Sequence, residues 1–407
     1  MPKYTTYRKR NVLHTGNGIM DIYISPEAGG RILQLALDGY EYLYVNPKDE
    51  EDPSKWNNIG GEKIWPAPQG WEGGDQWPGP SGSVLDSGEY CYSEISDEIY
   101  GTGLRLTSPA DEYTGIVSSR DIFPGSDTSI LNINATFTNK SDKARNWSIW
   151  PVCQVDMLQD QAYKEDRFKI ICPLSKKNEA DTGYSVMHGV VNNPQYNVEN
   201  DNFSVDYKYI VGKAGLHSSA GWVASLDQKS GKVLAMFFDY EQPAKYPDGT
   251  SVQIWSSGAG AVYSGKRLKI HPDDKSLNPP YAEIELLSPL KKIEPGESLS
   301  FEYKIGLCTI EANCTITAMN RSVVTVSPLK IRDYEGKIAI TASYGVFFCG
   351  YLTVGAEGDL LERKKVTPLE GVLIEIITEK IKENSISVRA YDEKENFIGL
   401  VEEIKIS

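Results

Sequence analysis

"ILNINATF", residues 130–137, alternates without a break: Leu131, Ile133, Ala135 and Phe137 fall on one face, Asn132, Asn134 and Thr136 on the other. A period of two is that of an extended strand with one buried face, because successive Cβ atoms point to opposite sides of the pleat. "SLSFEYKIGL" (298–307) repeats the pattern with Leu299, Phe301, Tyr303, Ile305 and Leu307. No stretch of comparable length carries an i, i+3, i+4, i+7 apolar stripe. Turn signals such as "PEAGG", "PGSD", "YPDG" and "EPGE" recur between the alternating runs. The chain reads as an all-β, antiparallel protein.

With 407 residues it exceeds the roughly 250–300 that one core organises, so a large and a small domain are expected. After "FEYKIGLCTIE" the texture changes: from about residue 310 there is no Trp or His, and short Ile/Val-rich strands such as "GVLIEIIT" take over. The predicted division is 1–309 and 310–407, the second part a small immunoglobulin-like β-sandwich with a packing or spacing role. A formal charge of −14 argues against a nucleic-acid partner, which needs a basic face. No apolar run reaches the ~18 residues of a membrane span, and the basic start has no apolar segment behind it. No membrane partner, no secretory signal and a cytoplasmic location are therefore expected. The six cysteines show no C-x-x-C and no ligand-like histidine spacing. Buried free thiols, no metal and no cofactor are the expectation.

"GGEKIWPAPQGWEGGDQWPGP" (60–80) holds three of the eight tryptophans, with Trp56 just upstream. Pro66, Pro68, Pro78 and Pro80 exclude a helix, and the segment is expected to be a loop. Flat rings among Lys63, Gln69, Glu72, Gln76 and Asp75 suit a sugar, whose C–H face stacks on indole while polar groups bind its hydroxyls. The competing reading is a tryptophan plug closing the open end of a β-sandwich.

Four blocks, "SPEAGGRILQLALDGYEYLYVNP" (25–47), "IGGEKIWPAPQ" (59–69), "NWSIWPVCQVD" (146–156) and "YAEIELLSPLKKIEPGESLSFEYKIGL" (281–307), together resemble the galactose mutarotase-like superfamily, and within it an uncharacterised branch related to aldose 1-epimerases. The resemblance covers residues ~10–307. It implies a supersandwich of two large antiparallel sheets with a carbohydrate site in a concave face, and a small-molecule saccharide as partner. It says nothing about residues 310–407, and an oligomer is left open.

Mutarotation needs a base for the anomeric hydroxyl and an acid for the ring oxygen. The family's base is a Glu on a late strand; the matching segment offers Glu285 or Glu283, two residues apart and so on one strand face. The family's central-strand histidine has no counterpart in "WSIWPVCQV", where Trp150, Val152, Gln154 and Asp156 share a face. His14, His188, His217 and His271 lie outside the matched blocks, and His217 is the one singled out. Trp65, Trp71, Trp77 and Trp150 are the candidate stacking walls, with Arg31, Lys63, Gln69 and Gln154 as polar contacts. Arg31 and Lys63 have two readings, donors to hydroxyls or a uronate, or partners of acids at the sandwich rim. Three functions remain: an epimerase-like enzyme on a sugar or uronate-containing saccharide, a non-catalytic carbohydrate-binding or sensing module, and a structural β-protein whose C-terminal sandwich mediates assembly.

Overall fold

The described residues form antiparallel sheets and almost no helix, with alternating burial in strands such as Ile116–Pro124 and burial at every position in others such as Arg31–Leu37. The computed structural model describes residues 2–48, 57–158, 163–175, 181–264, 267–356, 359–379 and 385–406; Trp56 lies outside them. Two compact units result, one of Met1–Pro124, Leu131–Ser225 and Met236–Ile305, the other of Gly125–Ile130, Leu226–Ala235 and Gly306–Ser407. Among the described residues no helix is long and apolar enough to cross a membrane.

A twelve-stranded sheet sets Glu62–Ala67, Arg145–Asp156, Tyr281–Leu286, Val252–Ser256, Gly212–Leu216 and Tyr184–Gly189 side by side. A ten-stranded sheet runs through Ser298–Thr309, Ile130–Asn139 and Ile116–Pro124. Leu131, Ile133, Ala135 and Phe137 are buried, as their alternation requires. The sheets meet through more than apolar contact. From the twelve-stranded sheet, the Glu62 carboxylate accepts from Arg120 and, at 2.6 Å, from the Tyr303 hydroxyl, both on the ten-stranded sheet. One face of the larger sheet is thereby fixed as the inter-sheet face. Side chains one residue along each strand must point the other way.

The expected loop over 60–80 is corrected in its first part. Glu62–Ala67 is a fully buried strand, paired along its length with Ser148–Cys153. Pro66 is tolerated because on its other side this strand pairs with Arg31–Leu37 only at Ile32↔Glu62, so the missing N–H breaks no ladder there. Gly60, two residues before the strand, sits at φ +97, where a Cβ would lie 2.1 Å from the Tyr44 carbonyl oxygen.

In the second unit, strands Val323–Tyr334, Lys337–Val346 and Val372–Thr378 belong to one four-stranded sheet, and Gly350–Ala356, Asp359–Val366, Ser385–Asp392 and Phe397–Lys405 form another. Tyr344 and Ile374 of the first share one core with Leu352 and Val388 of the second. All six cysteines are free thiols, but burial holds for Cys153, Cys172 and Cys308 only; Cys91 is exposed on the strand Cys91–Asp97.

Candidate functional site

Register assembles the site. On the face of the twelve-stranded sheet opposite Glu62, the aligned positions run Gln154, Glu283, Trp255, Lys213 and His188 across five neighbouring strands. The next row carries Lys63, Val152, Glu285 and Gln253, and the one after it pairs Trp65 with Trp150. Residues distant in sequence become neighbours because antiparallel partners project to the same side.

Two carboxylates and two lysines form the centre. Glu285 is fully buried; its Oε2 accepts from Trp150 Nε1 at 2.8 Å and from Lys213 Nζ at 2.9 Å, while its Oε1 has no partner. Glu283 keeps 12% side-chain exposure, accepts from Gln154 Nε2 at 2.6 Å and lies 3.7 Å from Lys63 Nζ. The Lys63 ammonium, 4.6 Å from the Trp65 ring centre, makes no hydrogen bond, and Gln154 Oε1 is likewise unpartnered. Burial pushes the Glu285 carboxyl up to about 7 against the pull of Lys213. Burial lowers the Lys63 ammonium to about 8, opposed by Glu283.

Trp65, Trp77 and Trp150 are buried behind this centre, with Trp65 5.2 Å from Trp77 and 5.5 Å from Trp150 between ring centres. Trp65 donates to Asp86 Oδ1 at 3.0 Å, and the same carboxylate accepts from Arg31 Nη2 at 3.2 Å. Arg31 spends its other bonds on the carbonyls of Ala28, Gly60 and Asp86. It therefore holds the strand entry rather than lining an opening. The segment after Ala67 makes an excursion closed at its base by Gly70 N–H to the Trp77 carbonyl, at 2.9 Å, and Trp77 N–H to the Pro68 carbonyl, at 3.0 Å. Trp77 pins the base, and Trp71 near the tip is 60% exposed. Asp75 accepts from Asn146 at 2.8 Å.

A cleft of about 620 Å³ opens beside this centre. Its aromatic lining comprises Trp255, Trp71, Tyr263 and the stacked pair Tyr44–Tyr281, 4.8 Å between ring centres. Gln69, Asn46, Asn57, Asn58 and Asn278 supply amides. Trp255 is the cross-strand neighbour of Glu283, and Tyr281 shares the strand face of Glu283, so the cleft continues the acidic row. His188 and His271 flank Trp255 at 6.3 and 6.5 Å between ring centres. Both imidazoles are held below their usual value, first by burial, then by Lys213 for His188 and Lys269 for His271. His217 stands elsewhere: its Nε2 is 3.1 Å from the Tyr240 hydroxyl, in a separate cleft with Tyr246. Among the described residues no group of three or more His, Cys, Asp or Glu could hold a metal ion.

Of the residues expected from sequence, the structure brings Lys63, Trp65, Trp150, Gln154, Glu283 and Glu285 into one cluster and places Gln69 and Trp71 on the cleft. Arg31 and Trp77 stand behind them. Sequence reading missed Lys213, Trp255, Tyr281, Tyr44, His188 and His271. Alternation in "VQIWS" (252–256) puts Gln253 and Trp255 on one face, a usable signal; Lys213, between glycine and alanine in "GKAGL", offers none.

No protein-family model and no curated protein matches this chain. Among solved structures it is similar to a TPR-domain containing protein from Parabacteroides distasonis, at 14% identity and a TM-score of 0.48, over 73% of this chain and 46% of the other. This chain thus spans less than half of that protein. A galactose mutarotase related enzyme from Lactobacillus acidophilus is similar at 11% identity and a TM-score of 0.45, over 73% and 97%. A galactose mutarotase-like protein from Lactobacillus casei is similar at 13% and 0.46, over 73% and 99%. Several further solved structures to which this chain is similar are likewise described as galactose mutarotase-like proteins or mutarotases.

Proposed function

We propose that the cleft binds a saccharide, with Glu283 as the carboxylate that meets it. The observation that carries this reading is Trp255: partly exposed, lining the cleft, and paired in register with Glu283. An indole beside a carboxylate, ringed by amides, matches both surfaces of a sugar, its C–H face and its hydroxyls. The buried cluster behind supports the reading from a second side, because Lys63 Nζ, Gln154 Oε1 and Glu285 Oε1 retain unused hydrogen-bonding capacity.

Tryptophan fluorescence, titrated with a panel of aldoses and uronates, is expected to change saturably, and Trp255→Ala to abolish the response. A flat titration across the panel would overturn the assignment.

A catalytic reading is favoured by one specific feature, the two imidazoles flanking Trp255, the cross-strand neighbour of Glu283. Glu283 as base and the protonated form of His188 or His271 as proton donor would supply the pair that anomeric exchange requires, a pairing favoured below neutral pH because burial lowers both imidazoles. Exchange of a bound reducing sugar, followed by NMR, is then expected to exceed the uncatalysed rate, and Glu283→Gln to lower the acceleration by about 10²–10⁴. Binding without acceleration would leave a non-catalytic carbohydrate-binding protein.

A further inference from the structure

We propose that the saccharide taken by this cleft carries an anionic group, a carboxylate or a phosphate, received by the wall strand Arg267–His271. The proposal rests on the saccharide reading above and adds the charge of the ligand to it.

The strand sequence "RLKIH" alternates basic and apolar residues, and its register with Gly260–Ser264 decides where the charges go. Lys269 pairs with Val262, His271 with Gly260 and Arg267 with Ser264, so the three basic residues share one face with Val262. Val262 is buried, and Val262, Lys269 and His271 all line the cleft, whereas Leu268 and Ile270 do not. Among the described residues, Lys269 is the single side chain of fixed charge in the lining itself, and the nearest carboxylate in register, Glu283, stands one strand beyond the lining residue Trp255.

The surrounding acids do not cancel this charge. On the floor each carboxylate has its own lysine: Glu283 has Lys63 at 3.7 Å, and Glu285 has Lys213 at 2.9 Å. In the turn after the wall strand, Asp273 lies 3.6 Å from Lys275, while Asp274, which accepts from the Ser276 N–H at 2.8 Å, keeps its charge but does not belong to the cleft lining. The floor is thus balanced and the wall is left cationic, in a chain whose formal charge is −14. Screening over about 8 Å at physiological salt makes that local balance, not the global charge, decide what a ligand in the cleft meets. A carboxylate or phosphate on the sugar would draw charge-assisted hydrogen bonds from Lys269 while its hydroxyls meet the amides.

The test uses the full chain and tryptophan fluorescence, with methyl glycosides, their uronate counterparts and hexose 6-phosphates in the gluco, galacto and manno series. At least one anionic sugar is expected to bind about tenfold more tightly than its neutral counterpart. That advantage, taken as the ratio of anionic to neutral affinity within each variant, is expected to shrink as salt rises, to disappear in Lys269→Met and to persist in Lys269→Arg. The uronate and phosphate arms identify which anion is meant. Equal affinity for neutral and anionic members, or an advantage that survives Lys269→Met, overturns the proposal and leaves the saccharide reading standing. Failure of every sugar to bind removes both.

Discussion

Glu62 and Lys63 are neighbours in sequence, both buried and both ionic, yet they end in opposite kinds of surroundings. Glu62, between the sheets, has both carboxylate oxygens used, one by Arg120 and one by Tyr303. Apart from Arg120 Nε, that network is hydrogen-bonded and sealed. Lys63, on the other face, has a carboxylate at 3.7 Å but no hydrogen bond, among neighbours whose polar atoms are also left over. A buried polar atom without a partner is costly, so a cluster of them is tolerated where a water or a ligand completes it. One face of the sheet is built for cohesion and the other is kept unfinished.

The hardest test of that contrast is to break the sealed side. Arg120→Ala strands the Glu62 charge in the interior and is expected to cost about 3–5 kcal/mol in urea unfolding. Glu283→Gln on the unfinished side removes the carboxylate beside Lys63, but an ammonium already lowered to about 8 can release its proton instead of staying stranded, so a smaller loss of about 1–2 kcal/mol is expected, together with loss of the sugar response. Equal destabilisation by the two would erase the distinction.

The pH dependence sharpens it. Glu285 titrates at about 7 when folded, against an ordinary 4.5, so the folded chain holds more protons between those values and this group's contribution to stability falls as pH rises through that window. Lys63 titrates at about 8, against 10.5, so the unfolded chain holds more protons there and stability gains from rising pH between 8 and 10.5. Unfolding free energies of the wild type minus those of Glu285→Gln should slope downward across the first window, and those minus Lys63→Met upward across the second. Difference curves flat in both windows would show that the cluster is not strained by burial. The smallest expected effect is Trp71→Ala, within about 0.5 kcal/mol in stability because the ring is 60% exposed, but with weaker sugar binding.

Much of the fold was legible because strand alternation is local: each residue's face follows from its neighbours' spacing, and Leu131 through Phe137 obeyed it. The tryptophan stretch was less so. Pro66 reads as a breaker, and only the early end of pairing with Arg31–Leu37 makes it compatible with a strand. Nothing in "QGWEGGDQWPG" distinguishes Trp71 from Trp77, since one is held by a closing bridge and the other is not. The pairing of Glu283 and Glu285 on a single face was readable; that one is sealed and the other partly open follows from Trp150 and Lys213, on two other strands. The histidines show the same limit. His217 drew attention in sequence, while His188 reaches the cleft by pairing with Lys213 and His271 through the hairpin with Gly260–Ser264, and neither pairing marks a cleft in the sequence.

By itself the sequence determined the all-β character, the alternating faces and the chemistry available on them, because these depend on periods of two and on residue type. Tertiary structure decided which tryptophan is covered, which glutamate remains open and which lysine stands in the cleft wall. Those outcomes depend on strand order and register, where a shift of one residue sends every side chain to the opposite face.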